Sequence, residues 1–370
     1  MNDHMLPQDN TINVSQLSNI FNKMSESYKI FWFRSLFDAI KKGKTTVTYD
    51  ELVNHMILDA WYMVSEYKLN LGPSDNLERL ILYLQKTKNL KTNEKKSDIE
   101  KILRSNTDPE YKRIKGELIK FVPYRLQVPF MPGMRSKDLD VSPQRQIDKI
   151  NSKSHLIYYF NEYKAMNTKI SIQDDWYRYL YDNQVIIEGW IEYNMIDYLQ
   201  RRNPNVPGII NKLYPPEKRN LDDIKKLWRM CITVSPMDEI YRGQSLNSEC
   251  RLSIDHFVPW SFVTHDEMWN LHPTLVSINS SKSNFLPDWD KYFGLFSNME
   301  YKLYTIAQKY EEIRNLFEKC KKTHINDMTV RNKLYKDGLT KEEFCNTLEA
   351  VMQPVYKAAM NQGFEVRKKI

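Results

Sequence analysis

Glycine is scarce, at 10 of 370 residues, which disfavours Gly-rich nucleotide-binding loops and long all-β barrels. The four cysteines, Cys231, Cys250, Cys320 and Cys345, stand far apart with no CxxC or CxxxC. Neither a structural zinc nor a disulfide scaffold is therefore expected, and free thiols in a reducing compartment are. No apolar run approaches the roughly 18 residues that span a bilayer. The first residues, MNDHMLPQDN, show no basic region followed by an apolar core, so no signal peptide is expected. These absences point to a soluble, cytoplasmic protein without a membrane partner.

Hydrophobic residues make up 41% and charged residues 27%, as in an ordinary globular chain. The length allows two or three compact domains. The net charge of +7 favours a polyanionic partner, because cations that neutralise phosphates release counterions. Alone it decides little, since many proteins carry a mild basic excess.

Apolar periodicity predicts a helix over 14–43, through Ile20, Phe21, Met24, Tyr28, Phe31, Leu36 and Ile40. Thr48-x-x-Glu51 reads as a capping box that opens a second helix. Residues 86–120 carry eleven Lys or Arg against six acidic residues, read as a solvated helical surface or loop rather than a phosphate-tracking arm. Residues 142–201 read as helical. A short helix is expected from Leu221 to Cys231, and after Trp289 one apolar stripe runs from Leu303 to Cys320. Thr340-x-x-Glu343 caps a last helix, which Pro354 is expected to end or kink.

The stretch that carries chemistry runs from Leu252 to Pro287, and three of the seven histidines lie between positions 256 and 272. Its apolar segments and prolines predict strand, polar loop, strand, helix. Asp255 and Asn279 offer hard oxygen ligands, which suit Mg²⁺ or Mn²⁺. A divalent ion is what an anionic phosphodiester needs before a nucleophile can approach it. His256 titrates near neutrality and can take a proton from water. Asn270 can hydrogen-bond across the loop and pin it, and Lys282, one helical step beyond Asn279, can meet a phosphate oxygen. Adjacent strand residues face opposite ways, so Asp255 and His256 can work together only where the strand ends or twists. His265 and His272 are expected to be structural, and Trp260 and Trp269 to pack rather than stack on bases.

Asp255, His256, Pro259, Asn270, Asn279, Lys282, Ser283 and Pro287 together resemble the HNH, or ββα-metal, nuclease motif, with Ile240-Tyr-Arg-Gly243 similar to the turn that opens it. The segment is similar to the HNH domain that cuts the target strand in RNA-guided CRISPR effectors. Other phrases, such as Val122-Pro-Tyr-Arg125 and Asn203-Pro-Asn-Val-Pro207, resemble bacterial HNH endonucleases associated with restriction or phage defence.

The resemblance implies metal ligation by Asp255 and Asn279, a general base at His256 and a loop-holding Asn270. It implies DNA as substrate, with a defence-system protein or a second copy as further partner. The expected fold is α+β and predominantly helical, with helical N- and C-terminal regions around a small ββα unit. The expected divisions are 1–121, 122–230, 231–290 for the nuclease and 291–370 for a helical cap. Two other functions remain open at this point: a nucleic-acid-binding or assembly subunit that uses the HNH unit for docking, and an RNA-cutting toxin.

Overall fold

The computed structural model describes residues 6–22, 24–216 and 219–370. Residues 1–5, part of the stretch inspected for a signal peptide, and Lys23 of the expected first helix lie outside these. The chain is mostly helical with four small sheets, and its residues form two units. One comprises 1–204 and 209–215, the other 205–208 and 216–370. The nuclease segment and the C-terminal helices lie together in the second unit, and the boundary passes through the 122–230 stretch. No helix of the described residues is long and apolar enough to cross a membrane.

In the first unit, α1 (Tyr28–Lys41) is buried along most of its length, through Ile30, Phe31, Trp32, Phe33, Leu36, Phe37 and Ile40. β1 (Thr46–Thr48) leads into α2 (Tyr49–Ser65), and α3 (Asn76–Thr87) packs on α2. The capping box forms as read: Thr48 Oγ1 accepts from the Glu51 N–H at 3.2 Å, and the Glu51 carboxylate accepts from the Thr48 N–H at 2.8 Å. β2 (Tyr158–Phe160) and β3 (Lys169–Ile172) complete an antiparallel sheet of order β1-β3-β2.

The sequence misled in two places here. The expected 14–43 helix is split into Val14–Ser18 and α1, and the all-helical reading of 142–201 overlooks β2 and β3. Both strands are short and rich in aromatic and β-branched residues, and tertiary pairing with β1 outweighs their neighbours' helical periodicity.

In the second unit, α4 (Asp222–Val234) precedes a hairpin of β4 (Met237–Asp238) and β5 (Ser245–Leu246). Then come β6 (Leu252–His256), β7 (Leu271–Leu275), α5 (Val276–Lys282) and β8 (Leu286–Pro287). The long helices α6 (Trp289–Lys309), α7 (Glu311–Thr323) and α8 (Lys341–Asn361) follow, with a short helix Met328–Leu334 between the last two, and then β9 (Val366–Arg367). The stripe expected as continuous from Leu303 to Cys320 breaks at Tyr310, between α6 and α7. Pro354 neither ends nor stops α8, which runs on to Asn361.

Phe257 is fully buried and joins the strand–loop–strand unit to these helices. Its ring lies 4.8 Å from Phe296, 6.0 Å from Trp289 and 6.4 Å from Tyr356. Trp289 stacks on Phe293 at 4.1 Å, and the Tyr356 hydroxyl donates to the Pro287 carbonyl at 2.8 Å. An aromatic cluster of this kind gives a small β unit the core that it cannot build from its own few residues.

Candidate active site

β6 and β7 pair antiparallel, with Asp255 opposite His272 and His256, the last residue of β6, opposite Leu271. The loop between them is closed by Asn270. Its side-chain oxygen accepts from the Val258 N–H at 2.8 Å and its amide nitrogen donates to the Val258 carbonyl at 2.9 Å. The far part of the loop is tied to the end of α7. The Met268 N–H donates to the His324 carbonyl at 2.7 Å, and the Glu267 carboxylate accepts from the side chain of Asn326 at 2.8 Å.

Asp255 and His256 engage separate partners, as alternation along a strand requires. The Asp255 carboxylate accepts from the Tyr241 hydroxyl at 2.8 Å, and His272 Nε2 and Lys282 Nζ each lie 3.3 Å from it. Burial alone would raise its pKa. The Lys282 charge and the hydrogen bonds from His272 and Tyr241 outweigh that and hold the carboxyl well below the usual carboxylate range.

The Tyr241 turn is itself held by buried Glu239, whose carboxylate accepts from the backbone N–H groups of Tyr241 at 2.9 Å and Arg242 at 2.5 Å. Gly243, with φ of +67°, supplies the left-handed residue that this turn needs.

Lys282 departs from its expected place. It is fully buried and donates to the His256 carbonyl at 2.6 Å as well as to Asp255, so its ammonium is not presented to a phosphate. Burial lowers its pKa and the Asp255 carboxylate draws it back up.

His256 is buried, with Nε2 2.8 Å from Asp266 Oδ1. A carboxylate only accepts, so Nε2 carries the hydrogen of the neutral ring and Nδ1 keeps the lone pair. Burial pushes the imidazole down to about 4, with the Arg219 charge adding to the effect against the pull of Asp266. Arg219 Nη1 lies 3.2 Å from His256 Nδ1, 3.4 Å from its Nε2 and 3.3 Å from Asp266 Oδ1, and its guanidinium sits 5.1 Å from the centre of the Trp260 ring. Arg219 is 35% exposed and Asp266 19%, so solvent meets His256 on their side.

Asn279 leans on β6 from α5. Its amide nitrogen donates to Ser253 Oγ at 2.8 Å and to the Ile254 carbonyl at 3.2 Å. The Ile254 carbonyl can only accept, which fixes the amide's orientation and leaves its side-chain oxygen without a hydrogen bond. An ionised carboxylate at Asp255 and an unused amide oxygen on Asn279, which is anchored one residue before it, are hard-oxygen donors of the kind a divalent cation takes, though a cation there would have to share Asp255 with Lys282. In the other unit, Asp38, His55 and Asp59 also bring ligand atoms together. There Lys41 lies 2.8 Å from Asp38, and Arg34 and Lys96 lie 3.6 and 3.4 Å from Asp59. That group is a neutralised ion-pair network.

Residues 239–288 match the family model described as HNH endonuclease. The chain carries an HNH domain. The match begins at Glu239, the organiser of the Tyr241 turn, and ends at Asp288, whose side chain accepts from the Lys291 N–H at the start of α6. No curated protein and no solved structure matches the chain. HNH nucleases use a divalent metal ion, so the donor chemistry at Asp255 and Asn279 agrees in kind with the domain.

Sequence reading missed Arg219, Asp266 and Glu239. Asp266 and Glu239 lie in or beside the motif, among polar residues that nothing in the spacing singles out. Arg219 lies 37 residues before His256 and carries no local signal.

Proposed function

We propose that the chain is a metal-dependent HNH endonuclease that hydrolyses DNA phosphodiester bonds. The observation that carries this reading is the pairing, within the matched domain, of a carboxylate held ionised at Asp255 with an imidazole held neutral at His256. General acid–base chemistry on a phosphodiester needs both, one to hold positive charge and one to accept a proton.

Asp255 and Asn279 would hold Mg²⁺ or Mn²⁺, which neutralises the charge that develops on phosphate and leaving oxygen. His256 accepts the proton of the attacking water at Nδ1, while Asp266 fixes the ring through Nε2 and stabilises the imidazolium that forms. Arg219 Nη1 lies almost equally close to both ring nitrogens, so it sits against the imidazole and leaves the in-plane Nδ1 lone pair for the water. An anionic phosphate is the natural competitor for its guanidinium, which then sits beside the phosphate as a charge-assisted donor. Asn270 keeps the loop closed so that His256 does not drift. One such site cuts one strand.

The preference for DNA, a role in restriction or phage defence, and a protein partner or second copy rest on the sequence resemblance. The experiment is cleavage of supercoiled plasmid and of single-stranded RNA with Mg²⁺ or Mn²⁺, comparing wild type with His256→Ala. The expected result is nicking or linearisation of DNA by the wild type and a loss of about 10²–10⁴-fold in the variant. Cleavage of RNA alone would replace DNA by RNA as substrate. Equal cleavage by both proteins would overturn the assignment of the base.

A further inference from the structure

The segment after α8 returns to the HNH domain. β9 pairs parallel with β8, placing Val366 beside Leu286 and Arg367 beside Pro287. The Leu286 N–H donates to the Glu365 carbonyl at 2.9 Å and the Asp288 N–H to the Arg367 carbonyl at 3.1 Å. Phe364 and Ile370 are buried at the two ends of this stretch, and Lys368 and Lys369 between them are exposed. Lys291 Nζ and the Tyr292 hydroxyl both donate to the Lys368 carbonyl, at 3.2 and 3.3 Å, so the lysine pair is held in place.

Two arginines share this edge. Arg242 donates from Nε to the main-chain oxygen of Ile370, the last residue, at 3.0 Å and places Nη2 3.4 Å from Ser281 Oγ. Arg367 donates to the Ser281 carbonyl at 3.2 Å, with its guanidinium 3.3 Å from the centre of the Phe285 ring. Ser281 immediately precedes Lys282, and Arg242 immediately follows Tyr241. Both neighbours touch the Asp255 carboxylate. The cationic edge therefore adjoins the candidate metal ligand.

Arg242, Lys291, Arg367, Lys368 and Lys369 come from three separate stretches of chain, and among the described residues none pairs with a side-chain carboxylate. Of the acidic residues in the same segments, Asp288 accepts from the Lys291 N–H and buried Glu239 from the Arg242 N–H, and Asp238, Asp290 and Glu365 are exposed. The five cations outnumber the three exposed carboxylates of these segments, and a phosphate backbone relieves the repulsion among them while releasing its own counterions. A protein partner would ask for an apolar centre within the patch, whereas Val366 is the exposed apolar side chain of the tail.

Resting on the nuclease assignment, we propose that these five residues form a docking surface for the sugar–phosphate backbone of the substrate strand beside the cleavage point. The surface holds the polymer and leaves the chemistry to the Asp255–His256 site.

The test uses the full chain and the double variant Lys368→Glu/Lys369→Glu, with Lys322→Glu/Lys341→Glu, exposed on α7 and at the first residue of α8, as the charge-matched control. Binding of a labelled 20-base-pair duplex in EDTA is followed by fluorescence anisotropy across a salt series. Turnover of bis(p-nitrophenyl) phosphate with Mn²⁺ is measured alongside. For the 368/369 variant the expected result is a Kd raised about 10- to 100-fold and a log Kd against log salt slope lower by about 2, with turnover of the small diester unchanged. Duplex affinity equal to wild type, or an equal loss in the control, would overturn the docking surface. So would retention by wild type of polyglutamate but not DNA, which would make the partner an acidic protein. Absence of diester turnover in wild type would remove the nuclease reading, while the binding arm would still decide the surface.

Discussion

Lys282 carries its charge into a place without solvent, and its only counter-charge is Asp255, 3.3 Å away. Lys282→Met leaves that buried carboxylate with the Tyr241 and His272 hydrogen bonds but without its cation, and is expected to cost about 3–5 kcal/mol, read as a lower denaturant midpoint. A variant as stable as wild type would return Lys282 to the phosphate-binding role first expected of it. Glu300 is the opposite case: both oxygens of this fully buried carboxyl lack a hydrogen-bond partner, and burial holds its pKa well above the ordinary value. Below about pH 4.3 both folded and unfolded chains are protonated there. Above it the unfolded chain binds fewer protons than the native one, so stability falls by up to about 1.4 kcal/mol per pH unit until the native carboxyl ionises. Glu300→Met is expected to remove that slope and to stabilise the protein at pH 7 by about 1–3 kcal/mol, measured by denaturation at several pH values. At this scale the sequence was legible where chemistry sits at fixed offsets. Asp255, Asn270 and Asn279 share one short stretch and are positioned by one strand pair and one helix. Arg219 was not legible, because only tertiary folding brings it to His256.

Elements whose ends are set by local hydrogen bonds were equally readable. The capping boxes at Thr48 and Thr340 lie where their sequences put them, since each needs only residues three apart. β8 and β9 are two residues each and were invisible, because their pairing joins positions far apart in the chain. Phe364 anchors that pairing, buried with its ring 5.7 Å from Phe262 in the loop of the HNH domain. Phe364→Ala is expected to cost about 3–5 kcal/mol, the range for a large aromatic removed from a core. If thermal melting shows no loss, the tail is held by its backbone bonds alone. Pro354 shows the limit of a local rule. α8 passes through it because the packing of Leu348, Met352, Tyr356 and Ala359 outweighs one missing hydrogen bond.

Each of the two units has its own buried core, and the HNH domain with its aromatic supports lies within the second. A fragment of residues 216–370 is therefore expected to fold and to keep His256-dependent plasmid cleavage. Circular dichroism would give the helical content, and a gel the cleavage. A helical fragment that no longer cuts would place part of the active machinery in the first unit. The overall class, mostly helical around a small ββα element, was legible because long amphipathic helices dominate the pattern. The grouping into two units was not, because it depends on which helices cover which sheet.

The late arrival of β9 sets an order on synthesis. Leu286 and Asp288, at the closing edge of the nuclease segment, find acceptors on Glu365 and Arg367, about eighty residues further along the chain. A ribosome must therefore have made the chain as far as Arg367 before that edge is sealed, and a product truncated in α7 or α8 has no partner for it.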